Sequence, residues 1–302
     1  MPAPTVSVVI PAYNCAGYLA ETVESVCGQT YRDLEVVIVD DGSTDETWRV
    51  IERLAASRSK IRPVRAEHGG TPVTINRGIH AARGEWIAIL GSDDIWLPQM
   101  LERCMDFLSE HPELSIVYTP MSVVRLDTGE VMKGHSKKCH AGWLTQKLFQ
   151  TIFVHDSAVV FHRRVVEDCG GLDESISVGS GHEFWLRVST KYEFGLIDEP
   201  LAIRRWSESS LTRSNRSLGR RLKARMLDRF YFEGGGKEIL PRDVAMRGLS
   251  RAHYRVGKIL LAEGAARLAA EHLGKCIRYR RRYLKAYPFY LAARLVSFAS
   301  GR

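Results

Sequence analysis

Nowhere among the 302 residues do two cysteines form a C-x-x-C pair. The six that occur (Cys15, Cys27, Cys104, Cys139, Cys169 and Cys276) are scattered and form no Cys/His cluster of metal-site spacing, so neither a zinc module nor a small disulfide-framed scaffold is indicated. A reducing, cytoplasmic setting is expected. The N-terminus has no basic start, and its apolar run stops at Asn14 after a strand's length, so no signal peptide is predicted. The dinucleotide fingerprint G-x-G-x-x-G is missing after that run, where Pro11 to Gly17 reads PAYNCAG. With 45% hydrophobic and 26% charged residues, the chain suits one large domain, or one domain and a smaller companion, and neither disorder nor a fibrous repeat.

The formal charge of +8 suggests a nucleic-acid partner until it is divided along the chain. Residues 1–200 hold 19 basic and 28 acidic residues, net −9, whereas residues 201–302 hold 24 and 7, net +17. That asymmetry predicts an acidic catalytic or binding body attached to a basic segment that meets an anionic surface. Nothing resembling a DNA or RNA module accompanies the charge.

Short apolar runs alternate with helical patterns through the first half, the signature of a mostly parallel sheet flanked by helices. Strands are predicted at Thr5 to Pro11, Leu34 to Asp40, Ile61 to Arg65 and Trp86 to Leu90, the first two near-continuously apolar as in strands buried on both faces. Ser43 and Glu46 read as a capping box for a helix whose buried stripe is Trp48, Ile51, Leu54 and Ala55. Mixed α+β follows Leu90, with a turn at Asp127-Thr128-Gly129 and a short helix over His182 to Thr190. From Ser217 the chain reads as wholly helical, Glu263-Gly264 separating two helices of a pair similar to one tetratricopeptide unit. The expected division is residues 1–215 and 216–302.

In an α/β sheet ligands bind at the carboxyl ends of the strands. Here those ends read Pro11-Ala12-Tyr13-Asn14, Asp40-Asp41-Gly42-Ser43 and Gly91-Ser92-Asp93-Asp94. One Asp-Asp pair alone reads better as a solvated loop or helix cap. Two at neighbouring ligand-facing ends favour a hard divalent ion, Mn²⁺ or Mg²⁺, shared with a substrate phosphate.

VSVVIPAYN (Val6 to Asn14), VDDGSTD (Val39 to Asp45), NRGIHAARGEWIAIL (Asn76 to Leu90) and GSDDIW (Gly91 to Trp96) resemble the nucleotide-sugar half of an inverting family-2 glycosyltransferase of GT-A fold, bacterial polysaccharide or lipid-glycan type. CGGLDES (Cys169 to Ser175) and HEFWLRVS (His182 to Ser189) resemble its acceptor side, in the expected order. The resemblance covers residues 5–212. It implies that Tyr13 and Asp40 hold the base, usually uracil, with Pro11, Asn14 and Asp41 around them. Ser92 and Asp93 would meet the ribose, Asp94 the divalent ion with Asp93 beside it, and Gly70 to Asn76 the phosphates and sugar.

Two positions depart from that pattern. Gly91 stands where many relatives have Asp, and Ser180-Gly181 stands where relatives commonly place a Glu-Asp pair whose Asp is the general base. Inversion needs a base within hydrogen-bond reach of the acceptor hydroxyl, and Glu183 at a helix start is the first choice. His182 and Asp156 are the other candidates. Arg205 and Trp206 stand where relatives carry an Arg and a His, so a guanidinium on phosphate and an aromatic face on sugar are expected, or a packed Trp beside surface arginines.

Arg278, Arg280, Arg281, Arg282 and Lys285, followed by Tyr287, Phe289, Tyr290 and Leu291, have the composition of an interfacial anchor for an anionic membrane over 278–294, or of a solvated helix face. Lys285 and Arg294 interrupt any run long enough to span a bilayer. The resulting expectation is a metal-dependent inverting glycosyltransferase, peripheral at the inner face of the cell membrane, that uses a nucleotide-sugar donor and a glycan or lipid-linked acceptor. The alternatives are a sugar-nucleotide nucleotidyltransferase, which would need a Gly-rich basic loop that Pro11 to Gly17 lacks, and a non-catalytic nucleotide-binding or membrane scaffold.

Overall fold

The computed structural model describes residues 3–126, 128–132, 138–206 and 216–299. Two compact units emerge, Met1–Leu144 with Ile152–Ser207, and Thr145–Thr151 with Glu208–Arg302. Residue 215, the expected division, lies outside the described residues, as do Asp127 of the expected turn and residues 207–212 at the end of the stretch that carries the resemblance.

The first unit begins β1 (Val6–Ala12), α1 (Leu19–Cys27), β2 (Leu34–Asp41), α2 (Thr47–Ser57), β3 (Ile61–Ala66), α3 (Thr71–Ala81) and β4 (Trp86–Ile89). It continues through β5 (Ile95–Trp96), α4 (Met100–Glu110), β6 (Ile116–Tyr118) and β7 (Met121–Arg125). After the α5 segment (Thr145–Gln150) come β8 (Val159–His162), α6 (Arg164–Cys169), α7 (Ser180–Val188), β9 (Gly195–Leu196) and β10 (Ala202–Trp206). The main sheet has the order β3-β2-β1-β4-β8-β6-β9, parallel except for β8, which runs against β4 and β6. This is the GT-A arrangement expected, with extra helices after it.

Val6, Val8, Val9 and Ile10 of β1 and Val36 to Val39 of β2 are fully buried, as their unbroken apolar runs require. Gly78 lets α3 approach the sheet, because a Cβ there would overlap Val9. Leu19, Val23 and Val26 form the buried stripe of α1, and Ile51 and Leu54 that of α2, with Trp48 and Ala55 half-buried at its edge.

The capping box is corrected by the structure. Glu46 precedes α2 with no side-chain cap, and Ser43 Oγ accepts the Asn14 amide at 3.0 Å. Asp45 Oδ1 instead accepts the Thr47 N–H at 2.9 Å, so the Ser is diverted to the neighbouring loop and the Asp takes over the helix end.

The second unit holds α5, α8 (Arg216–Phe232), α9 (Gly236–Ile239), α10 (Arg242–Ala262), α11 (Ala266–Tyr279) and α12 (Ala286–Ala299). Gly264, at φ 78°, makes the turn between α10 and α11. Asp228 of α8 is the hub of a polar network. His253 Nε2 lies 3.1 Å from its carboxylate, Lys275 Nζ and the Tyr279 hydroxyl donate to it at 3.1 and 3.0 Å, and His253 Nδ1 meets His272 Nδ1 at 2.9 Å.

Burial, then the charges of His253, Lys275 and Arg221, pull the His272 pKa down to about 4 against the opposing pull of Asp228. The folded unit thus keeps His272 neutral while the unfolded chain takes up a proton near pH 6.5. Stability is full above about pH 6.5 and drains away toward pH 4, by roughly 1–2 kcal/mol for a half-exposed ring. Melting of the second unit followed at pH 7 and pH 4.5 checks this, and His272→Gln is expected to flatten the slope.

Candidate active site

The sheet register assembles the site. Ala12 pairs with Asp40, so the turns after β1 and β2 lie side by side, and β4 on the other flank of β1 delivers Gly91 to Asp94 to the same edge. Asn14 takes a left-handed conformation (φ 46°), which Asn tolerates, and its Oδ1 accepts the Thr44 N–H at 2.8 Å. Tyr13 is 43% exposed, with its ring 4.4 Å from that of His68. Together these rings form an open shelf just past the end of β1, whose last residue Ala12 is in register with Asp40.

Asp40 and Asp41 do different work. Asp41 accepts the N–H groups of Gly69 and Gly70 at 2.8 and 2.9 Å and pairs with His68 at 3.0 Å, fixing the loop that leads into α3. Asp40 is fully buried, and only its Oδ1 has a partner, the Ser43 N–H at 3.3 Å. Its Oδ2 has no hydrogen-bond partner, which is costly unless a ligand supplies a donor.

Asp94 is 8% exposed. Burial, then the Asp93 carboxylate, pushes its pKa up to about 7, despite the Ser157 hydroxyl and the charge of Arg204. Burial raises Asp93 too, against Arg204 and Arg205. Two carboxylates held this way suit a hard divalent cation, which relieves both repulsion and desolvation. Among the described residues no group of three His, Cys, Asp or Glu side chains is placed to hold a metal, so the remaining ligands of such an ion would be water and substrate oxygens. A Cβ at Gly91 would stand 3.1 Å from Asp93 Oδ1 and 3.3 Å from Asp94 Oδ2, so a larger residue there would crowd the pair.

Several expected side chains are already committed. Arg205 is tied to the Asp93 carbonyl, Glu21, Tyr18 and Thr22, which braces the acidic loop. Trp206 lies under the Arg125 guanidinium, 5.8 Å from its ring centre. Asn76 bonds Leu172 N and O and Glu174, all at 2.9 Å, and so anchors the loop that follows α6. Pro11 is the last residue but one of β1, and the Ser92 carbonyl accepts the Thr22 hydroxyl at 2.8 Å.

Glu183, on α7 with His182, is buried and forked by Arg187, with Nε and Nη2 each 2.9 Å from a carboxylate oxygen. Arg187 also holds the carbonyls of Cys169 and Gly171. Asp156 approaches α7 from the other side, accepting the Trp185 Nε1–H at 2.6 Å, and burial raises its pKa. A Cβ at Gly181 would overlap both Asp156 oxygens. The carboxylate of Asp156 therefore fills the space that a side chain at 181 would take.

Sequence reasoning missed Ser157, whose hydroxyl accepts the Gly91 N–H at 3.0 Å and bonds Asp94, and His68. Both stand in segments without a recognisable motif. Adjacency to Asp156 was the only available signal for Ser157.

The profile described as Glycosyl transferase family 2 matches residues 7–170, more than half of the chain. Chondroitin synthase of Escherichia coli is 32% identical over 196 residues, 65% of this chain and 28% of that protein. Hyaluronan synthase of Pasteurella multocida is 32% identical over 191 residues, 63% of this chain and 19% of that one. The chain thus spans less than a third of the length of these relatives. Among solved structures, S. aureus TarS 1–349 in complex with UDP superposes with a TM-score of 0.67 at 19% identity, covering 99% of this chain and 92% of that one. Mannosyltransferase PcManGT from Pyrobaculum calidifontis, in complex with GDP-Man and Mn²⁺, gives 0.58 at 20% identity, covering 98% and 87%.

Proposed function

The chain belongs to glycosyl transferase family 2, and on that footing we propose that it moves a sugar from a UDP-linked donor to a hydroxyl of a glycan or lipid-linked acceptor, with inversion. The observation that carries the donor side is the unpartnered, buried Asp40 Oδ2 beside the Tyr13 shelf. An imide N–H of a stacked uracil supplies the missing donor, and the solution of TarS with UDP and with UDP-GlcNAc supports that choice. Asp93 and Asp94 would hold Mn²⁺ or Mg²⁺, as the Mn²⁺ in PcManGT supports. Such an ion supplies Lewis-acid neutralisation of the departing diphosphate.

Asp156 is the base in this reading. It takes the proton of the acceptor hydroxyl as that oxygen bonds to the anomeric carbon and the bond to the diphosphate breaks. Its raised pKa suits proton uptake better than a carboxylate neutralised by Arg187, so Glu183 orients α7 and the loop before it. Arg204 adds positive field at the acidic pair, while His182 and Trp206 border the acceptor side.

Calorimetry with UDP and Mn²⁺ tests the donor reading. The wild-type protein is expected to bind, and Asp40→Ala to bind at least about tenfold more weakly, the worth of one hydrogen bond to a charged group. No binding by the wild type, or equal binding by the variant, sinks it.

The helix α12 fits an anionic membrane surface in the same reading. Its Ala286 and Ala293 are buried, whereas Leu291, Leu295 and Phe298 are 59%, 72% and 71% exposed, on one stripe with Tyr287. Lys285 and Arg294 flank that stripe, and Arg280 to Arg282 precede it. No described helix is long and apolar enough to cross a membrane. Flotation with phosphatidylglycerol vesicles is expected, and should be lost in Leu291→Ser/Leu295→Ser; equal flotation with neutral vesicles counts against it.

A further inference from the structure

The second unit contains a cleft whose charge the donor chemistry leaves unused. It is lined by Arg220, Lys223 and Leu227 of α8, Arg251, Ala252 and Arg255 of α10 with Gly248 in its floor, and Gln150 at the end of α5, around about 320 Å³ of space open to solvent. Four of these side chains are cationic and none is acidic.

The helical register explains the clustering. Arg220 and Lys223 stand three apart on α8, and Arg251 and Arg255 four apart on α10, so each helix presents a basic row to the same opening. Arg216 extends the row on α8, and burial together with Arg255 and Arg216 lowers the Arg220 pKa. Repulsion across such a cleft costs folding stability and is relieved when an anion enters.

We propose that this cleft binds an anionic oligosaccharide, charged by carboxylate or phosphate groups, and so gives the second unit a hold of its own on the acceptor chain. Planar guanidinium groups meet both kinds of oxyanion in a two-point fork. Gln150 pairs with sugar hydroxyls, and Leu227, Gly248 and Ala252 offer a low apolar floor for a ring face. Among the described residues no aromatic side chain lines the cleft, which argues against the stacking platform that single-stranded nucleic acid uses. The exposed apolar stripe of α12 is a separate feature, which leaves the lipid surface to that helix. Capture on one chain raises the local concentration of acceptor near the transferase unit. The acceptor role rests on the transferase reading; binding in the cleft does not.

The test uses the full chain and labelled pentagalacturonate, with maltopentaose as the neutral comparison and UDP with Mn²⁺ as the donor probe. Wild type is expected to bind pentagalacturonate, more weakly as salt rises, and not maltopentaose. Arg251→Gln/Arg255→Gln, at two exposed positions, should lose at least about tenfold in that affinity with UDP binding unchanged. Arg280→Gln/Arg281→Gln/Arg282→Gln should keep it. Wild type that ignores pentagalacturonate or takes maltopentaose equally overturns the proposal. So does an unaffected cleft variant, an equal loss in the triple variant, or a cleft variant that loses only phosphatidylglycerol vesicles. Pentagalacturonate binding that follows the expected pattern while UDP fails to bind leaves the cleft standing and removes the donor reading.

Discussion

Asp94→Asn is expected to lower transfer by at least about a thousandfold while leaving the ligand-free protein as stable as the wild type or more so. The rate loss follows from removing the carboxylate best placed to hold a divalent ion against the diphosphate, a contribution of several kcal/mol to the developing charge. The stability gain follows from the same geometry. Asp94 is buried beside Asp93, and two unit charges about 4 Å apart repel by about 4 kcal/mol at an effective dielectric of ~20. Part of that cost is already avoided by proton uptake, so a gain near 1 kcal/mol, about 2 °C in melting temperature, is the realistic size. Initial rates with a UDP-sugar and Mn²⁺, and melting curves in chelator, measure both. A variant that melts lower yet keeps its activity would refute the metal assignment.

Asp156→Asn separates the two candidate bases. Loss of a general base costs roughly 10² to 10⁴ in kcat, and UDP affinity should be kept, because the Asp156 carboxylate bonds Trp185 rather than Asp40 or Asp94. Glu183→Gln should behave differently. It leaves the Arg187 guanidinium facing a neutral amide, at a cost of about 2 kcal/mol in stability, while much of the activity of the folded fraction survives. Gly181→Asp puts a carboxylate where relatives place theirs, but its side chain must displace Asp156, so it is expected to destabilise the protein rather than rescue Asp156→Asn. Full activity in Asp156→Asn together with none in well-folded Glu183→Gln would return the base role to Glu183.

The sheet was legible because strands buried on both faces write themselves as unbroken apolar runs, as Val6 to Ile10 and Val36 to Val39 do. The carboxyl edge of the sheet was legible because its turns follow directly from those runs, which put Asp40, Asp93 and Asp94 on one edge without any tertiary information. What could not be read was partnership across the fold. Ser43 and Glu46 satisfy the capping pattern, yet Asn14 claims the Ser from 29 residues away. Glu183 carries the chemistry of a base, but its availability depends on Arg187 and on carbonyls at Cys169 and Gly171. The place of Asp156 against Gly181 likewise arises from a loop and a helix far apart in sequence. Periodicity carries no record of such meetings.

The α5 segment has a bearing on how the chain is made and how it can be cut. Its six residues belong to the second unit, where Phe149 packs on Gly248, Phe230 and Tyr231, yet they are translated before β8, α7 and β10 of the first. On the ribosome this apolar turn emerges early and waits for α8 and α10, so a chaperone would meet it there. A protein trimmed at residue 207 keeps the segment but loses every one of those partners. Exchange of C-terminal units between relatives therefore needs a second splice at 145–151, because a single joint would strip Phe149 of these partners.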